Sequence, residues 1–215
     1  MAKGQVQAIS MVLIAGIVIS LVGVAYFWGK PVIEKSSTRA DISNAKQFIV
    51  QLDKNIVEVS RSGGVKALDV PRLAGSSLVI DEDNNQILFK FFTTQAMYEM
   101  GEDSAPVPVE TTDQNIPGPY GGSPRIITLR GEPQPDGQYL MILNLTYREL
   151  RSNDPKRGYE VAAVDGGETP GAGSSGFMSV VASYASGPNP VITPRSDEDG
   201  GELTTTKVSI SISRP

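Results

Sequence analysis

The chain contains no cysteine and no histidine. Without cysteine there is no disulfide and no thiolate chemistry. Without histidine, the commonest general base and the commonest zinc ligand are missing. A Ser-His-Asp triad, a Cys-His pair and a histidine-based metal site are therefore excluded. Positive charge is in short supply: 19 Lys and Arg stand against 24 Asp and Glu, a formal net charge of −5. That balance argues against nucleic acid as a partner. Ser, Asp and Glu are plentiful, but none sits in a recognisable catalytic arrangement. No enzyme activity and no cofactor is expected. A carboxylate-pair glycosidase is the enzyme class the residues still allow.

A long apolar run is present once, at the start. From Ile9 to Trp28 there is no charged residue. A helix of about 20 residues spans roughly 30 Å, one bilayer core. A secretory signal has a shorter apolar region followed by a small-residue cleavage site. Here Ala25 is followed by Tyr26, Phe27 and Trp28. Tyr26 and Trp28 suit an interfacial aromatic belt instead. Lys3 precedes the run, and Lys30, Lys35 and Arg39 follow it. That bias mildly favours a cytoplasmic C-side, whereas the segments that follow have an extracellular character. Ala15, Gly16, Ser20 and Gly23 permit close helix approach, with Gly16 and Ser20 in a small-xxx-small spacing.

Pro31 is expected to kink or interrupt the helix, because it removes a donor and clashes with the preceding turn. Beyond it, Ile42, Ala45, Ile49, Leu52, Ile56 and Val59 repeat at spacings of 3, 4, 3, 4 and 3. That is one helical stripe, which Phe48 widens. Gly63-Gly64 supplies a stop. The first 62 residues thus read as one long helix, apolar on all sides and then amphipathic.

After Gly64 the period changes to two. Apolar runs flank Asp83-Asn84-Asn85 as a hairpin would. Strands are expected over 125–129, 138–150, 177–186 and 203–213. In the second of these, Tyr139, Met141, Leu143, Leu145 and Tyr147 share one face; Leu140, Ile142, Asn144, Thr146 and Arg148 share the other. In the last, Val208, Ile210 and Ile212 alternate with polar residues. Six or more strands, Gly/Pro turns and no further helix imply an α+β chain: a long N-terminal helix followed by an all-β, Ig-like sandwich.

Smaller signals have plainer readings beside them. Asn144-Leu145-Thr146 is an N-glycosylation sequon on the more polar face of its strand. Residues 81–85 begin like a calcium loop but lack the Gly and the closing Glu, and read as a hairpin turn. Asp197, Glu198, Asp199 and Glu202 cluster as a weak calcium candidate, for which a solvated turn is the plainer reading. The Gly-rich stretch 166–176 has no following Lys, and reads as a flexible surface loop rather than a phosphate loop.

A tiny leader ending Lys3-Gly4, then Gln5, an uncharged helix, an amphipathic continuation and a β-domain together resemble an archaeal type IV pilin. The opening "GQVQAIS" is similar to the start of the apolar helix in archaeal adhesion pilins. Where bacterial pilins place a Glu, this chain has Ile9. The resemblance implies a class III signal peptide, cut by a prepilin peptidase between Gly4 and Gln5. It implies residues 1–4 as leader, 5–62 as filament-core helix and 63–215 as the exposed head. It also implies a membrane-inserted precursor that assembles into an extracellular homopolymer touching surfaces or other cells. The alternatives are a tethered single-pass binding module that never polymerises, and an archaellum-type filament subunit.

Overall fold

The computed structural model describes residues 2–95, 104, 116–152, 157–170, 179–194 and 201–214; for 2–9, 168–170 and 214 only the backbone is described. Met1, Asp197, Glu198, Asp199 and residues 171–178 lie outside the described residues.

One helix, α1, runs over Ala2–Ser62, 61 residues, about 90 Å at 1.5 Å per residue. It is continuous through Pro31, in keeping with the one long helix expected over the first 62 residues. Losing one backbone bond on an exposed turn costs less than creating two new helix ends, each with four unsatisfied groups. The helix stops where expected. The Gly63 amide donates to the Val59 carbonyl at 2.8 Å, and Gly63 and Gly64 both take positive φ, 72° and 90°. Only glycine adopts that turn without strain.

Eleven strands follow among the described residues: β1 Val65–Asp69, β2 Ser77–Asp81, β3 Gln86–Thr93, β4 Gly118–Pro119, β5 Arg125–Pro133, β6 Tyr139–Tyr147, β7 Leu150–Arg151, β8 Arg157–Pro170, β9 Ser179–Tyr184, β10 Val191–Pro194 and β11 Glu202–Arg214. They form two sheets. One is antiparallel, in the order β2-β3-β6-β5. The other runs β1-β9-β11-β8-β7-β4, with β10 also on β11. In it β11 pairs β8 in parallel and β9 antiparallel. The chain is thus α+β, a long helix and a mostly β head.

The expected strands are present, and their faces follow the alternation. Met141, Leu143, Leu145 and Tyr147 are buried, as are Val208, Ile210 and Ile212. The 14-residue β8 was not expected, and residues 166–170, read from sequence as part of a surface loop, are its last residues. Its Gly and acidic residues depress strand propensity, and its place is set by long-range pairing to β11.

The second half of α1 belongs to the head. Ile42, Ala45, Phe48, Ile49, Leu52, Ile56 and Val59 all lie in one core cluster with Phe89, Phe91, Leu143, Val180, Val208 and Ile210. The helix touches β3 and β6 of one sheet and β1, β9 and β11 of the other. Phe48 packs on Phe89 with ring centroids 5.0 Å apart. Each fully buried Leu or Ile stabilises by about 1.5–3 kcal/mol, so the stripe is a principal part of the head's stability.

Candidate functional site

From Ser10 to Trp28 the same helix is covered by nothing among the described residues. Every residue from Ser10 to Trp28 is exposed, including Ile19 at 72% and Trp28 at 80%. It is the one helix among the described residues long and apolar enough to cross a membrane. Ala15, Gly16, Ser20 and Gly23 all stand open on it. A Cβ added at Gly16 or Gly23 would meet no atom within 4 Å. Ser20 donates its hydroxyl to the Gly16 carbonyl at 2.8 Å, which satisfies the one polar side chain in the middle of the run.

The change from open to covered is abrupt. Ile33 is 70% exposed, whereas Thr38 is 1% exposed. Gln95, two residues past β3, reaches back to Glu34, its Nε2 donating to Oε2 at 3.4 Å. The hydroxyls of Thr38 and Thr94 lie 3.4 Å apart. Glu34 also pairs with Lys30 at 3.8 Å. This small polar collar marks where the head begins.

Deeper in the head a charged lock fixes the helix to the antiparallel sheet. Asp53 is 2% exposed. Its carboxylate is ion-paired with Arg125 of β5 and accepts a hydrogen bond from the Tyr147 hydroxyl of β6 at 3.1 Å. Burial pushes the Tyr147 hydroxyl far above its ordinary value, while the Arg125 charge acts in the opposite direction. The phenol therefore stays protonated and keeps donating. Asp53 sits between Leu52 and Ile56, at the edge of the apolar stripe. That position is the one local signal for the lock, and the sequence reading did not single it out, since its partners lie far along the chain.

Two asparagines close gaps in the sheets. Asn85, in the β2–β3 turn with φ of 52°, bonds to β8 as a strand would. Its Nδ2 donates to the Val161 carbonyl at 2.8 Å, and its Oδ1 accepts from the Ala163 amide at 2.9 Å. Asn189 treats β11 likewise, exchanging bonds of 2.7 and 2.9 Å with the Lys207 backbone. Each thus satisfies backbone groups that the neighbouring strands leave unpaired. Next to Asn85, Glu160 is held above its ordinary value of 4.5, chiefly by burial; the hydrogen bond from Asn85 opposes this and the nearby Glu149 charge adds to it.

The remaining sequence candidates fall as follows. Gly4 and Gln5 are helical. Asn144 is half-buried in the middle of its sheet. Its Nδ2, the atom a glycan would occupy, donates to Gln86 at 3.3 Å, and Thr146, 3% exposed, donates to its Oδ1 at 3.2 Å. The 81–85 segment is a turn closed by Asn84. The Asn84 side chain donates to Asp81 at 2.8 Å and holds that carboxyl below its ordinary value. Glu202 is exposed at the start of β11. Among the described residues, no three acidic side chains gather as a metal site would require.

Compared with known proteins, the chain matches no family model, no curated protein and no solved structure.

Proposed function

We propose that the chain is a structural subunit of a type IV pilus-like filament, held in a membrane before assembly and polymerised through the first half of α1. The observation that carries this reading is the all-round exposure of an apolar helix from Ser10 to Trp28. About 20 apolar residues left in water are untenable. Lipid covers them in the precursor, and copies of the same helix cover them in the fibre. The open small residues Gly16, Ser20 and Gly23 permit the close approach that such a bundle needs. A head-to-tail contact that does not close then gives a helical filament. The head, two sheets around a shared core in the manner of a sandwich, faces outward and meets surfaces or other cells.

Processing falls between Gly4 and Gln5 in this reading. Micrographs of fibres sheared from cells, with intact-mass analysis of their subunit, test it. The expected subunit begins at Gln5. A subunit that retains residues 1–4, or is cut after Ala25, overturns the pilin reading.

A second reading has its own support. Tyr26 and Trp28, 66% and 80% exposed, would anchor a single span permanently at a membrane surface. A tethered module of that kind would display the same head without any fibre. Cells yielding only membrane-bound monomer would favour it.

A further inference from the structure

At the end of the head farthest from the apolar half, the last turn of α1 opens onto a cleft of ≈ 360 Å³. That volume falls at the low end of small-ligand sites, about 300–1,000 Å³. From Trp28 to Arg61 the helix rises about 50 Å, so this end is remote from lipid or fibre core alike. Tyr120 and Tyr159 form one wall, Thr204 and Thr206 line the β11 side, and Ser60 and Arg61 come from the helix.

The aromatic wall is prebuilt. The two tyrosine rings are tilted at 49° with centroids 5.4 Å apart. Tyr120 is nevertheless 60% exposed, an uncommon state for a large ring held in place. Its backbone is fixed: the Tyr120 amide donates to the Arg151 carbonyl at 2.7 Å, and the flanking Gly118 and Gly122 amides donate to Glu149 and Pro119 at 2.8 and 2.9 Å. Little ordering cost is left for a ligand to meet.

The chemistry of the cleft narrows the ligand. One side offers flat apolar faces and the other offers hydroxyls that both donate and accept. Besides the tyrosines, the ionisable residues along it are Arg61 and Glu160; the Glu160 carboxylate is already taken by Asn85 at 3.0 Å, and one arginine makes no strong charge preference. Phosphate-bearing ligands lack the cationic cluster they require. We propose that this cleft binds a neutral saccharide, its pyranose face stacked on Tyr120 and its hydroxyl edge turned to Thr204 and Thr206. The site would give the head a chemical target on whatever surface it meets.

The full chain in lipid nanodiscs is the right material, since sugar-headed detergents would compete. Neutral hexose and N-acetylhexosamine trisaccharides are added, with saturation-transfer NMR on the sugar protons and titration calorimetry as readouts. Saturation transfer to the ring C–H protons is expected. Tyr120→Ala should weaken binding at least tenfold while leaving circular dichroism and the unfolding midpoint unchanged, because the ring is mostly in solvent. Thr206→Val, which keeps the shape and removes one hydroxyl, should weaken it several-fold. A uronic-acid trisaccharide should bind no better than the neutral sugars. No transfer to any neutral sugar, or equal affinity in the Tyr120→Ala protein, overturns the proposal. Loss of fibres in cells would leave this binding unchanged, so the two proposals fail separately.

Discussion

The two halves of α1 share one backbone and one secondary structure, yet their surroundings are opposite. From Ser10 to Trp28 every side chain is open; from Ile42 to Val59 the apolar stripe is buried against both sheets. The difference lies in periodicity. The first half is apolar all round and so has no face to give a head. The second half confines its apolar residues to one side, and the head is built on that side. A helix of uniform geometry can therefore hold two unlike parts of a protein together, because hydrophobic periodicity, and not helicity, decides what covers it.

The largest effect expected from breaking this contrast is at Asp53. Asp53→Ala leaves Arg125 and Tyr147 without their buried partner. Removing one member of a buried pair costs about 3–5 kcal/mol, so the head's urea midpoint should fall steeply. Retention of the midpoint would show that the lock does not hold the helix to the sheet. The next largest effect compares two leucines. Leu52→Ala, at a site 1% exposed, should destabilise the head by about 2–5 kcal/mol. Leu13→Ala, 61% exposed, should leave the head's unfolding untouched. Equal losses at the two sites would erase the distinction between the halves.

A smaller effect sharpens the same contrast through pH. The apolar half has no carboxylate between Ser10 and Trp28, so the acid-range dependence must come from the head. Glu160 has a folded value raised above the ordinary 4.5. Its contribution to stability is fully present below 4.5 and is lost as pH rises through the raised folded value. Glu160→Gln should remove that loss, making the variant more stable than the parent at neutral pH and nearly equal to it in acid. Unfolding curves across the acid-to-neutral range check this; a variant less stable at neutral pH would mean the ionised carboxylate is favourably held.

Much of this contrast was legible in the sequence, for local reasons. The stripe at spacings of 3 and 4 and the alternation in β6 and β11 are short-range patterns, and burial follows them residue by residue. What escaped depends on contacts distant along the chain. Asp53 meets Arg125 and Tyr147 only once the sheet has formed. Asn85 was recognisable as a turn residue but not as a surrogate strand for β8. The cleft at Tyr120 draws on the helix, a loop and three strands, and no single window of sequence contains it. Pro31 lies inside the continuous helix, which agrees with the reading of the first 62 residues as one helix.

Because the chain has no cysteine, a single introduced thiol reports without background. Cysteine placed in turn at each position from Gly16 to Gly23, in cells exporting the protein, followed by oxidative cross-linking, tests most directly whether copies of α1 cover one another. If they do, at least one position yields a disulfide-linked dimer, the largest species that one thiol per subunit can form, whereas a control at the head-buried Ile49→Cys yields none. Monomer alone at every position from 16 to 23 would contradict assembly through this half of the helix.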